Sequence, residues 1–294
     1  MMIREAARAG SFYPAEPDAC REELLRCLPD PASLGELPAR IVGGIVPHAG
    51  WIYSGAVAAR TFAAIAARRR PETVVVFGAV HRAMRADAAV FARGAWASPL
   101  GEIAIDERLA ERLLGACSFV RDEPYAHESE HSIEVQVPFI QHFFPQAKCL
   151  PVSVMPGPRA SEIGLAAAGV VRDSGVDAVF IGSTDLTHYG PSYGSVSHGI
   201  GTEGLRWARE ENDRRMLDLI LARDADAIVA EAKAHHNACG SGAVAACIVA
   251  ANELGATRAR LLEHTTSAEV GARFGMGGGA DAVGYAAVVF GSDE

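Results

Sequence analysis

Residues 41–55 read I-V-G-G-I-V-P-H-A-G-W-I-Y-S-G. The first six are apolar or glycine, the pattern of a short strand buried on both faces, and the residues after them open a helix-like segment. Between the two stand Pro47 and His48, which puts a titratable ring at the point where the strand stops. Gly50 gives the chain room to turn, and Ser54 reads as the N-cap of the helix that follows. Trp51 and Tyr53 either wall a cleft at this turn or pack beside it.

The same alternation continues along the chain. Apolar runs rich in β-branched residues predict strands over 41–47, 73–78, 88–92, 150–155, 178–182, 260–264 and 283–290. Amphipathic stretches between them predict helices over 15–28, 55–68, 107–114, 132–144, 160–172, 202–221, 225–234 and 240–254. Strands alternating with helices imply an α/β fold: one three-layer domain spanning 1–294, with a mostly parallel or mixed central sheet and helices on both faces. The segment W-A-S-P-L-G-E-I-A-I at 96–105 reads as a hairpin or edge excursion, a reason to expect a mixed sheet. No repeat, low-complexity tract or long Pro/Gly/Ser linker divides the chain. Arg68-Arg69-Arg70 before Pro71 reads as a solvated helix C-terminus, and the glycine-rich 275–279 stretch reads as a turn because it precedes a strand and no helix.

With 294 residues, 49% of them hydrophobic, the chain can bury a large core. A formal net charge of -9 argues against nucleic acid or an anionic membrane as partner, since both favour a basic face. A small-molecule or peptide ligand is expected instead. The start lacks the apolar core of a signal peptide, no apolar run is long enough to span a bilayer, and the six cysteines are scattered without a C-x-x-C pair. A cytoplasmic protein is the expectation.

In open α/β sheets ligands collect beyond the carboxyl ends of the strands. Four places in the sequence put chemistry there: His48, His81, the Asp185/His188 pair in I-G-S-T-D-L-T-H-Y-G, and Cys239 in H-H-N-A-C-G-S-G. Each alone is explained as a loop or buried residue; four on one expected edge point to a site. A cysteine at a helix start is placed to be a thiolate, and a thiolate with two neutral imidazoles makes a three-ligand site for Fe(II), Cu or Zn. Asp185 is placed to orient His188 as a catalytic acid or base, with an Asx-type cap as the alternative. The segment Y-A-H-E-S-E-H-S-I-E-V-Q-V-P-F adds His131 as a further acid or base, while its acids, Glu130 among them, also suit a charged helix entry. His235 and His236 flank Cys239 and read as outlying residues. No G-x-S-x-G and no H-E-x-x-H occurs, which lowers serine-hydrolase and zincin chemistry.

Several of these stretches together carry a resemblance: R-E-A-A-R-A-G-S-F-Y-P, P-H-A-G-W-I-Y-S-G, F-G-A-V-H-R, E-H-S-I-E-V-Q-V-P-F, S-T-D-L-T-H-Y-G, A-C-G-S-G and D-A-V-G-Y-A-A, in this order. The chain resembles the MEMO-like family, whose bacterial and archaeal members are called AmmeMemoRadiSam system protein B, and which is similar in fold to the class III, LigB-type extradiol dioxygenases. The resemblance implies one α/β domain with its site at the sheet's carboxyl edge, His48, His81 and Cys239 as metal ligands, and His188 with Asp185 as the acid/base pair. It further implies a bound Fe(II) with a redox role on a small, phenolic substrate, with Cu or Zn as other metals the site would accept. The alternatives are a non-catalytic module that grips a peptide or carries metal, and a Zn hydrolase. A pathway shared with a radical-SAM protein and an AMMECR-like protein also follows from it. Two departures stand out: G-A-V-H replaces the usual G-P-x-H around His81, and Ala243 stands where a proline is common.

Overall fold

The computed structural model of the protein describes residues 2–276 and 279–294. Its strands are β1 (Ile3–Arg4), β2 (Arg40–Val46), β3 (Thr73–Gly78), β4 (Ala88–Val90), β5 (Ala95–Ser98), β6 (Gly101–Ala104), β7 (Val120–Asp122), β8 (Lys148–Val154), β9 (Ala178–Ser183), β10 (His188–Tyr189), β11 (Arg258–Thr266) and β12 (Ala282–Ser292). The helices are α1 (Pro17–Cys27), α2 (Trp51–Ala66), α3 (Glu107–Ala116), α4 (Pro124–His127), α5 (Val137–Phe143), α6 (Ala160–Ser174), α7 (Thr202–Trp207), α8 (Asp213–Ala222), α9 (Ala225–His235), α10 (Ser241–Glu253) and α11 (Ser267–Arg273).

Among the described residues nine strands form the main sheet, in the order β10-β12-β2-β9-β3-β8-β4-β7, with β11 on β12. The centre, β2-β9-β3-β8, is parallel; β12 joins β2 antiparallel, and β4 joins β8 antiparallel. The sheet is therefore mixed, as one of the two expectations had it. The reason is not the 96–105 hairpin, which forms a separate three-stranded sheet with β1.

Strand alternation builds the layers. In β3, Val74 and Val76 face one apolar core with Ile65, Phe62 and Phe139, while Val75 and Phe77 face another with Ile163, Ala246 and Ile248. Helices α1, α2 and α5 cover the first face; α3, α6, α8, α9 and α10 cover the second. Among the described residues no helix is long and apolar enough to cross a membrane.

Four local expectations are corrected. Helix α2 begins at Trp51 with Gly50 as its N-cap, so Ser54 is inside the helix and its hydroxyl donates to the Ala49 carbonyl (2.9 Å). The early start is fixed by Trp51, whose backbone N–H reaches Phe12 O and whose buried indole donates to Val135 O. The 132–144 segment is a 3-10 turn (Glu134–Gln136) followed by α5, because Glu130, Ser132 and Glu134 are drawn into side-chain bonds described below. The 202–221 segment is helical but carries a five-residue π turn, Ala208–Asn212, between α7 and α8. Of the arginine run, Arg68 and Arg69 are not simply solvated: they bond to the carbonyls of Leu37, Pro38 and Ile41, and Arg69 also pairs with Asp177. The 275–279 turn lies partly outside the described residues.

Because β2, β9, β3 and β8 run parallel, their carboxyl ends reach one edge. The residues just past β2, β3 and β9 are therefore neighbours in space: Pro47-His48, Ala79-Val80-His81 and Thr184-Asp185. That edge holds the candidate site.

Candidate metal centre

His48 leaves β2 fully buried, at 1% exposure. The β2–β9 register pairs Val46 with Ser183, which sets the Ser183 hydroxyl beside the ring. Ser183 Oγ donates to the Ser132 carbonyl (2.7 Å) and lies 3.0 Å from His48 Nδ1. Its one proton is committed to Ser132, so it accepts from Nδ1–H, and the lone pair of His48 is left on Nε2. Burial, and next the nearby His131 and His81, keep this ring neutral by lowering its pKa.

His81 is held by a different group. Glu130, buried at 2% exposure, accepts the His81 ring Nδ1–H on one oxygen (3.0 Å) and the His81 backbone N–H on the other (2.9 Å). The first oxygen also accepts the backbone N–H groups of His131 and Ser132 (2.8 and 2.9 Å). Burial works against the carboxylate's charge, but these donors hold Glu130 well below the usual carboxylate range. For His81, burial lowers the pKa, and the Glu130 hydrogen bond and charge outweigh it, so the net shift is upward. Again the ring presents Nε2. A carboxylate or hydroxyl on the far nitrogen of an imidazole is the arrangement that orients metal-binding histidines.

His131 completes the group. One ring nitrogen from each of His48, His81 and His131 lies within 4.8 Å of the others, close enough for a single ion to reach all three. The His131 ring stacks on His81 (4.6 Å, 20°) and meets His48 edge-on (5.4 Å, 88°). Burial, then the His81 charge, takes it down to about 4. Its place among the donors was not legible in the sequence, which offered it as an acid or base.

Cys239 stands two residues ahead of α10, its Sγ 3.2 Å from His48 Nε2. It lies beside the very nitrogen that His48 has free. Burial pushes the thiol up, and the Asp185 charge adds to this, the reverse of the thiolate expected from a helix start. Backbone N–H of Asp185 (3.3 Å) also points at the sulfur. A dication within bonding distance overrides such a shift, since a coordinating thiol loses its proton.

Asp185 and His188 reach the same edge but do not pair with each other. Asp185 accepts the His48 backbone N–H (2.7 Å), so it fixes the loop that carries His48; burial lifts its pKa to about 7 against those backbone bonds. His188 Nδ1 instead donates to the Leu186 carbonyl (3.1 Å), leaving Nε2 unprotonated, and burial lowers its pKa. Neither expectation for Asp185 describes it: it does not orient His188, and its bond is no local Asx-type cap, since the N–H it accepts is on a loop distant in sequence. His235 and His236 end α9, with His235 3.8 Å from Glu231, and neither joins the donor group.

Three residues matter here that motif reading did not assign. Ser183 and Glu130 orient the rings. Arg4, buried with Glu134 in a 2.6 Å ion pair, also donates to the carbonyls of His127 and Glu130 and so clamps the whole 127–134 loop from the chain's other end. Beside the donors opens a cavity of about 970 Å³, lined by Phe12, Tyr53, His131, Asp185, His188 and Tyr285 among others.

Against known proteins, the family model described as Memo-like protein matches residues 4–289. The chain belongs to the Memo-like family. Among its relatives, a MEMO1 family protein of Methanothermobacter thermautotrophicus is 38% identical, over 97% of this chain and 99% of that one. A MEMO1 family protein of Thermococcus kodakarensis is 39% identical over 98% and 99%. In structure the chain is similar to an uncharacterized protein from Escherichia coli K12, with a TM-score of 0.53 at 14% identity, covering 86% of this chain and all of that one; this likeness is one of fold. As a Memo-like protein, the chain carries its cluster of three histidines at the carboxyl edge that the α/β architecture marks out.

Proposed function

We propose that this Memo-like protein holds a redox-active divalent metal, Fe(II) in the first place, and acts on a small phenolic substrate in the adjoining cavity. The observation that carries the reading is the convergence of the His48, His81 and His131 ring nitrogens within 4.8 Å, with Cys239 Sγ 3.2 Å from His48 Nε2. The donor set fits a metal: two of the rings have their Nδ1 protons tied to Ser183 and Glu130, so both offer a lone pair from Nε2. His48 and His81 are the anchors, and Cys239 and His131 supply the further donors. A bound ion would contribute Lewis-acid chemistry and, as iron or copper, electron transfer. The protein's own part is to position and to move a proton. Phe12, Tyr53 and Tyr285 wall the cavity with aromatic surface, and neutral His188, its Nδ1 engaged by Leu186, has Nε2 free to take a phenolic proton.

Anaerobic loading with Fe(II), metal analysis, and then O₂ consumption with a set of catechols test this. Stoichiometric iron in the wild type and its loss in His48→Ala and His81→Ala are expected; no uptake by the wild type, or full uptake in both variants, overturns the reading. Three imidazoles also suit Zn, which favours a hydrolytic second reading. Metal content of protein purified without added metal separates the two.

A further inference from the structure

Two loops of the candidate site are tied to one point outside it. Between α7 and α8 stands the π turn Ala208–Asn212, a rare geometry that is frequent at functional sites. Arg209 and Glu210 of this turn line the cavity, and Asn212 at its end is buried. Asn212 Nδ2 donates to Thr187 Oγ1 (3.1 Å) and to the His235 carbonyl (2.9 Å), while the Asn212 carbonyl accepts from Asn237 Nδ2 (2.9 Å). Thr187 is the residue before His188, and Asn237 stands two residues before Cys239. Asn237 Nδ2 also donates to Glu231 (3.1 Å), so neither amide can flip without setting oxygen against oxygen. Asp213, the next residue, completes the hold: one oxygen accepts the Thr187 backbone N–H (2.9 Å) and the other lies 2.8 Å from His264 Nε2. Gly284 makes room for it, because a Cβ there would overlap the Asp213 carboxylate.

A loop is placed by the few side chains that clamp it, and here one residue clamps two loops. We propose that Asn212, backed by Asp213, is a positioning residue that sets the His188 ring and the Cys239 sulfur relative to each other. It lies neither on the cavity wall nor among the metal donors, so it acts through Thr187 and Asn237. The proposal rests on the reading of His188 as proton acceptor and Cys239 as metal donor, and it names what holds the two together.

Two signals from metal-free protein test it. Nitrogen NMR of the His188 ring, assigned with His188→Gln, reads whether Nδ1 alone carries the proton, as the bond to Leu186 requires. The alkylation rate of Cys239 by iodoacetamide, followed by mass spectrometry, reads the sulfur loop, since Cys239 is half-buried and the other cysteines are buried. Asn212→Ala should change both: His188 becomes a mixture of tautomers, and Cys239 reacts about fivefold faster, the gain in opening when one hydrogen bond is lost. Thr187→Val, which removes only the hydroxyl, should alter His188 alone, and Asn237→Ala should alter Cys239 alone. A folded Asn212→Ala with either signal unchanged overturns the proposal, and so does an equal response of both signals in all three variants, which general loosening would give. Where Asn212→Ala does not fold, the other two variants decide: a selective change in each sustains the proposal, and anything else overturns it. Metal uptake is measured separately, so a wild type that takes up no metal counts against the metal centre, whereas signals indifferent to Asn212 count against this inference alone.

Discussion

His48 and His81 present the same nitrogen to the same point, yet they are held by opposite means. The His48 arm is built into the sheet: β2 delivers the ring, β9 delivers Ser183 through the Val46–Ser183 register, and Asp185 ties down the backbone N–H. The His81 arm depends on Glu130, which sits on an irregular loop with no sheet register, held in place by Arg4 from the far end of the chain. A strand pair is positioned by many cooperative backbone bonds, whereas a loop is positioned by the few side chains that clamp it. The first arm should therefore survive perturbations that release the second.

The largest effect should come from the clamp. Arg4→Met leaves Glu134 buried without its partner and frees the His127 and Glu130 carbonyls, and should cost about 3–5 kcal/mol in denaturant unfolding. A change under about 1 kcal/mol would mean that the loop has other support. Next comes acid. His127, packed against Phe91 and Trp96, is pushed down to about 4 by burial, with its Ala89 hydrogen bond opposing, and its Nδ1 has no partner that could receive a second proton. Its ordinary value is 6.5, so the unfolded chain takes up the proton first; this part of the stability is whole above pH 6.5 and falls as the pH drops towards 4, by about 3 kcal/mol for this group. Unfolding measured between pH 7 and 4 checks the slope, and His127→Gln should flatten it.

Smaller effects separate the two ring holders. Glu130→Gln keeps the shape but removes the charge that orients His81, and should weaken metal binding about 10- to 100-fold in a competition titration. Ser183→Ala removes a neutral acceptor from a ring that the sheet still confines, and about tenfold or less is expected. If Ser183→Ala proves the more damaging, register alone does not hold His48, and the contrast between the arms fails.

The sheet was readable because its strands are apolar runs punctuated by turns, and parallel pairing then sends their ends to one edge without any further information. His48, His81, Asp185 and Cys239 stand out in the sequence for that reason. The 127–136 loop was not readable in the same way. Periodicity says which face of a helix or strand a residue takes, but residues 128–133 belong to neither, so the direction of Glu130 and of His131 has no sequence period to reveal it. The one available signal was chemical: two carboxylates and two histidines crowded into H-E-S-E-H.

From the order of its residues alone this protein determined its family, its layers and the edge at which its polar groups gather, since local apolar pattern and chain direction suffice for those. Which nitrogen each histidine offers, and that Asp185 grips the His48 loop and leaves His188 to Leu186, were decided only in three dimensions. Such facts depend on how a handful of buried donors and acceptors share one another, and partners more than a hundred residues apart meet only when the sheet has closed around them.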